Sequence, residues 1–337
     1  MNVKSFWRGV IAVVATVVVC LFVAAYLLFG GAVRTERELY VSTHTDYATL
    51  CDSLLPVMRH RVVFNWLAQS VNLPETFQPG HYTLRRGMGV VKVVRMLQLG
   101  RQTPVQVTLN NLRTPSQMAA KLAARLAADS TAWMAALTSP KLAREVGFDN
   151  VTLFSMFIPN TYEFYWTVTP EEFVRKMHKE YDRFWTAERD AQRQRSGLSR
   201  VEVMILASIV NEETRQQREM ARIAGVYINR LRRGMPLQAD PTVKYALQDF
   251  GLRRIMQQHL KTRSPYNTYI YKGLPPSPIC MPDVVTIDAV LGFEQHANFY
   301  FCASPTFDGT HLFARTLSEH AVNARAYRAA LNARNIK

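Results

Sequence analysis

The chain has 337 residues, 48% hydrophobic and 20% charged, enough for an anchor and roughly two soluble domains at about 100 to 200 residues each. That balance excludes a fibrous or disordered protein, and no low-complexity tract or internal repeat interrupts it. The 41 Lys and Arg against 26 Asp and Glu leave a formal charge of +15, which predicts attraction to a polyanion such as nucleic acid, anionic lipid headgroups or an acidic wall polymer.

Nucleic acid is the least favoured of these. The arginines are scattered (Arg85 and Arg86; Arg189, Arg193 and Arg195; Arg230, Arg232 and Arg233; Arg253 and Arg254), and no zinc-finger or RNA-binding signature accompanies them. Cys20, Cys51, Cys280 and Cys302 are far apart and form no CxxC. A Cys280–Cys302 bridge is conceivable, but small unpaired buried side chains are the favoured reading.

From Val10 to Phe29 the chain carries no charge. Twenty residues at about 1.5 Å each match the ~30 Å hydrocarbon layer. A signal peptide usually has an apolar core of only about 7 to 15 residues and a small-x-small cleavage site; Phe29-Gly30-Gly31-Ala32 suits that poorly, so a retained anchor is expected. Lys4 and Arg8 on the short tail predict a cytoplasmic N-terminus. Arg34 and Arg37 weigh against this without reversing it, because no second span of similar length follows. The remainder is then exported.

Between about Leu39 and Leu109, β-rich runs (Leu39–Ser42, His81–Leu84, Val105–Thr108) mix with helical ones (Tyr47–Met58, Val62–Val71, Val90–Leu99), punctuated by Gly80, Gly87 and Gly100. This predicts a small α+β module. From Thr114 to Trp185 the pattern is mostly helical, with one irregular aromatic stretch from Phe157 to Trp166.

Ser199-Arg200-Val201-Glu202 has the form of a capping box opening a helix. On it, Leu206, Ile209 and Glu213 fall at i, i+3 and i+7, so Glu213 continues the apolar stripe while Glu212 is rotated about 100° away. A carboxylate on that stripe must be paired, protonated or at a cleft rim, unless it is a helix-end Glu that bends out to solvent. A second helix carries Met220, Ile223, Ala224, Tyr227 and Leu231 on one face, flanked by Arg222, Arg230, Arg232 and Arg233, and Gly234 is placed to end it. Asp240-Pro241 then reads as N-cap and first helical residue of a third helix, which accounts for Asp240 structurally before any catalytic role. The prolines of Ser264–Tyr269 (SPYNTY) and Gly273–Pro278 (GLPPSP) predict a loop. Its aromatic and amide side chains would suit a sugar, or simply pack one another.

The runs Ala207–Thr214 (ASIVNEET), Ala224–Leu231 (AGVYINRL) and Gly234–Val243 (GMPLQADPTV), with the SPYNTY and GLPP elements and Leu312-Phe313 and His320, resemble in order and spacing the endolytic murein transglycosylases, the YceG-like family. The likeness spans nearly the whole chain. It implies lytic cleavage of the β-1,4 bond between N-acetylmuramic acid and N-acetylglucosamine in nascent strands, with the family's catalytic Glu falling on Glu213. Motif membership makes Asn229, Gln238, Asp240, Thr242, Tyr266, Asn267, Thr268 and Tyr269 the candidate substrate-binding residues. Asn211 and Asn160 depart from acidic residues common in relatives, which puts auxiliary roles there in doubt.

The implied fold class is α+β: an N-terminal transmembrane helix, a small LysM-like α+β module and a larger mixed α/β catalytic domain rich in helices. The expected divisions are a cytoplasmic tail (1–9), the membrane helix (10–30), a LysM-like glycan-positioning module (39–109) and a YceG-like catalytic domain (110–337). Expected partners are peptidoglycan glycan strands, the inner membrane through residues 10–30, and peptidoglycan synthases, with no nucleic acid, cofactor or metal. A lytic transglycosylase can use one carboxyl as acid and then base, which requires Glu213 to keep its proton above the ordinary value of about 4.3. The competing readings are a two-carboxylate muramidase using Glu213 with Asp240 or Glu212, a non-catalytic wall-binding scaffold, and, least favoured, a pyridoxal phosphate lyase, for which no lysine has a suitable context.

Overall fold

The computed structural model describes residues 3–252 and 254–334; Arg253 and the first two residues of the tail lie outside them. The chain divides into two compact units. One runs from the N-terminal helix to Val107 and takes back Arg125–Ala128 and Glu163–Val168; the other comprises Thr108–Ala124, Asp129–Tyr162 and the chain from Thr169 onward.

The first unit begins with α1 (Val3–Phe29), whose stretch from Phe6 to Phe29 is long and apolar enough to cross a membrane. Strand β1 (Arg37–Val41) pairs antiparallel with β2 (Gly80–Leu84), Leu39 opposite Tyr82. Between and after them come α2 (Tyr47–Leu54), α3 (Arg61–Ser70), the short α4 (Leu73–Thr76) and α5 (Val90–Gln98). Leu39, Val41, Leu50, Leu54, Phe64, Leu73, Tyr82, Leu84, Val93 and Leu97 make its core. Their fully buried side chains contribute about 1.5 to 3 kcal/mol each by removal from water. The predicted helix Tyr47–Met58 stops early, at Leu54, because Pro56 stands two residues on, and Leu55–Val57 tightens into a 3₁₀ turn.

Strand β3 (Val105–Leu109) pairs with β4 (Asn160–Phe164), and each strand passes from one unit into the other. This corrects the irregular stretch expected over Phe157–Trp166. Tyr162 and Phe164 alternate with exposed neighbours at a period of two, and the aromatic run around them hides that alternation until a partner strand is present.

The second unit is dominated by helices: α6 (Pro115–Ala123), α7 (Ser130–Leu137), α8 (Pro140–Glu145), α9 (Pro170–Phe184), α10 (Ala187–Ser196), α11 (Arg200–Glu213), α12 (Gln217–Arg232), α13 (Asp240–Leu247), α14 (Val284–Leu291) and α15 (Leu317–Ala333). A hairpin of β5 (Tyr300–Ala303) and β6 (His311–Ala314) precedes α15. Described residues are 54% helical and 9% strand, so the fold is α+β with helix packing carrying the larger core. All four cysteines are free thiols, Cys280 buried and Cys302 half-buried.

Candidate active site

Helix α11 starts where the sequence predicts. Ser199 accepts from the Glu202 N–H while the Glu202 carboxylate accepts from the Ser199 N–H, a complete capping box. Residues Val203 to Val210 are all buried, so this helix lies inside the second unit and its last turn delivers Glu213 at the end of the packed stretch. The helix stops because Thr214 turns extended, at φ −144° and ψ 147°.

Glu213 faces a cleft of about 930 Å³ that Glu212, Asp240, Lys244, Arg254, Tyr327 and Arg328 also line. Its exposure is intermediate, because the cleft leaves it a path to solvent while protein packs densely around the carboxyl. That packing, and after it the negative charge of Asp240, pushes its pKa up to about 7 against the opposing Tyr227 hydroxyl and Lys244. Among the described carboxyl groups that depart clearly from ordinary behaviour, Glu213 is the one raised; Asp46, Asp149, Asp190 and Asp308 are lowered.

Tyr227, on α12, donates its hydroxyl to Glu213 Oε2 at 3.4 Å. Burial, and then the Glu213 charge, hold this phenol well above its usual pKa, so it stays a donor. Glu212, on the same cleft, is ion-paired: Arg113 Nη2 donates to its Oε2 at 2.8 Å. Both glutamates line the cleft, Glu212 ion-paired with Arg113 and Glu213 with its pKa raised by burial.

Asp240 is the first residue of α13, and Ala239 occupies the cap position with no side-chain cap bond. The expected N-cap role is therefore corrected. One step into the helix, the carboxylate is free to turn into the cleft, where it accepts from the Tyr269 hydroxyl at 2.6 Å. Pro241 sits inside the first turn, a step later than predicted for the same reason.

The other motif residues build the frame. Thr242 and Thr268 hydroxyls lie 2.8 Å apart in the interior, and Thr268 Oγ1 accepts from the Ala239 N–H. The Asn267 amide, fully buried, donates to Leu260 O and Thr262 O and accepts from the Tyr269 N–H. Asn229 donates to His296 O and Asn298 O. Gln238, held in the left-handed region at φ 52°, accepts from Arg230 Nη1 at 3.2 Å. Tyr266 bonds Ser277 and borders a separate cavity of about 190 Å³. Of the eight candidate binding residues, Asp240 lines the cleft directly and Tyr269 touches it through Asp240.

Asn211 acts internally as well, its Oδ1 accepting from the Asp283 N–H and the Thr286 hydroxyl and so tying α11 to the start of α14. Asn160 is exposed and accepts from the Thr161 N–H.

Sequence reasoning missed two groups. Arg230, expected to flank its helix, is buried at 7% exposure and donates to Phe299 O, Pro236 O and Leu237 O. Its i+7 spacing from Ile223 and i+3 from Tyr227 was the available signal. The second group is the wall that α15 supplies through Tyr327, Arg328 and Asn332, which no local pattern marks because distant packing places it.

An N-terminal helix long and apolar enough to cross a membrane, a helix-rich α+β fold and a cleft holding a carboxyl with a raised pKa define a protein with acid–base capacity. The chain belongs to the YceG-like family, whose model matches residues 39–326. It is 29% identical over 265 residues to an endolytic murein transglycosylase of Bacillus subtilis (strain 168), covering 72% of this chain and 71% of that protein. It is 24% identical over 299 residues to the endolytic murein transglycosylase of Streptococcus pneumoniae (strain D39), covering 79% of this chain and 53% of that one, so it spans about half the pneumococcal protein's length. A crystal structure of a yceG-like protein from Listeria monocytogenes superimposes with a TM-score of 0.56 at 25% identity, covering 86% of this chain and 99% of that one.

Proposed function

We propose that this protein is an endolytic lytic transglycosylase of peptidoglycan, cutting the N-acetylmuramic acid–β-1,4–N-acetylglucosamine bond of nascent strands with Glu213 as acid and then base. The observation that carries the reading is a carboxyl with a pKa of about 7 on the wall of a 930 Å³ cleft, protonated often enough near neutral pH to donate and basic enough afterwards to accept. Glu213 gives its proton to the leaving glycosidic oxygen as the C1–O bond breaks. The resulting carboxylate takes the proton of the muramic C6 hydroxyl as that oxygen attacks C1, closing a 1,6-anhydro ring; no water is consumed. Tyr227 donates to the carboxyl throughout, steadying the charged stage. Lys244, Arg254 and Arg328 on the cleft wall suit the carboxylates of stem peptides.

The anchor places this chemistry at the membrane. With Lys4 and Arg8 on the cytoplasmic side, the chain beyond Phe29 lies outside the inner membrane, within reach of strands as synthases extend them, so cleavage terminates elongation. Residues 39–109 act as the LysM-like glycan-positioning module and residues 110–337 as the catalytic domain.

One observation favours a second reading. Asp240 shares the cleft with Glu213, as a two-carboxylate muramidase would require. Purified peptidoglycan and uncrosslinked nascent glycan are digested with the full chain and with Glu213→Gln, and the ends are read by mass spectrometry. Anhydro-muramic ends that fall by about a thousandfold or more in the variant support the proposal, on the scale expected for loss of a required acid–base group. Reducing ends replace it with the muramidase, and binding without cleavage leaves a wall-binding scaffold.

A further inference from the structure

The first unit has a concavity of its own, of about 860 Å³, where α1 ends. Arg85 and Arg86 reach it from the turn after β2, Lys92 and Arg95 from one face of α5, and Arg101 from the turn that follows. Phe29, Met88, Val91 and Met96 supply an apolar floor. All five cations are exposed, and none lies in an ion pair among the described residues. Gly89 caps α5 without a side-chain bond, and no acidic residue stands in its first turn, so the positive end of that helix adds to the same field.

The backbone fixes this basic wall to the end of the anchor. The Ala32 and Val33 N–H groups both donate to Met88 O, at 2.8 and 3.0 Å, and the Gly87 N–H donates to Val33 O at 2.9 Å. Gly31 and Gly89 permit the approach: a Cβ on Gly89 would stand 2.7 Å from Phe29 O, and one on Gly31 would stand 3.2 Å from Gly87 Cα. A helix that crosses the bilayer to Phe29 therefore holds the 85–89 turn at the level of the headgroups. A basic run is ordinarily a solvated face, but here the cations surround a concavity, no carboxylate answers them, and the floor is apolar.

We propose that this concavity binds a phosphate group at the membrane surface, with the phosphodiester headgroup of an anionic phospholipid as the source that the apolar floor favours over soluble phosphate. The site orients the first unit against the bilayer, giving the anchor a defined rotation as well as a depth. The proposal rests on α1 crossing a membrane and is independent of the chemistry at Glu213.

The test uses the full chain in detergent, titrated with dioctanoyl-phosphatidylglycerol, dioctanoyl-phosphatidylcholine and inorganic pyrophosphate by calorimetry. Phosphatidylglycerol is expected to bind at least about tenfold more tightly than phosphatidylcholine, since each basic residue near the surface is worth about fivefold. The variant Arg85→Gln/Lys92→Gln/Arg95→Gln should lose about a hundredfold, and the single reversal Arg95→Glu about twenty-fivefold. An equal charge change on the second unit, Lys141→Gln/Arg144→Gln/Lys179→Gln, should leave the affinity unchanged. Displacement of the lipid by pyrophosphate would assign recognition to the phosphate itself, and resistance to displacement would assign it to the headgroup and chains together. Wild-type affinity in both pocket variants, or equal loss in the control, overturns the proposal.

Discussion

Glu213 ties stability and turnover to one proton. Its pKa rises from 4.5 in the unfolded chain to about 7 in the folded one, so the folded state binds the proton more tightly. The stability it contributes is full below about pH 4.5 and is lost as pH rises through 7. Glu213→Gln should therefore melt with the wild type near pH 4 but above it at pH 8, by the equivalent of roughly 3 kcal/mol; calorimetric melting across that range checks it. Activity should fall on the alkaline side as Glu213 ionises. Because the Asp240 charge helps raise that pKa, Asp240→Asn should move the alkaline limb of the kcat/KM profile to lower pH. An unmoved limb would detach Asp240 from the acid. Arg230 has a different role: burial lowers its pKa, and its guanidinium satisfies backbone carbonyls around Phe299 and Leu237. Arg230→Met leaves those acceptors unpaired and should cost about 3 kcal/mol in a denaturant titration.

At the scale of elements, α11 and α12 position the cleft, and their ends and contacts set its tolerance. Ser199→Ala removes the capping box of α11 and should cost about 1 kcal/mol of stability while leaving kcat nearly unchanged, since the helix remains packed on several sides. Gly225 on α12 is more demanding. A Cβ there would collide with Glu294 O and approach the His296 ring, while Asn229, a turn later, holds the same segment through His296 O and Asn298 O. Gly225→Ala should push that segment off the helix and destabilise by about 1 to 3 kcal/mol, read as a lowered melting temperature. Strand β4 shows the limit of local pattern at this scale. Its alternation is present in the residues, but the ladder with β3 is what makes it a strand.

For the whole molecule, the apolar stretch Phe6–Phe29 predicts that the full chain sediments with membranes and resists carbonate extraction, and that a chain lacking residues 1–33 is released. A full chain that carbonate strips from membranes would count against the span. Much of this molecule follows from local pattern: the apolar N-terminal helix, the β1 and β2 runs and the α11 capping box all depend on periodicity and capping, which act over a few residues. The family motifs gather in the unit that holds the cleft, with Glu213 and Asp240 on its wall. Their division of labour was not legible, because Asn229, Asn267, Thr242 and Thr268 present the same polar atoms whether they meet a sugar or a backbone carbonyl. Nor was the burial of Arg230, the release of Asp240 from capping, or the wall built by α15. Each of these depends on which distant carbonyl, hydroxyl or helix arrives beside the residue. The sequence by itself determined the capped helix that carries the carboxyl; the tertiary structure alone decided which cleft it lines and how deeply it is surrounded, and hence that its pKa is raised toward neutral pH, since desolvation is a sum over all neighbours in space.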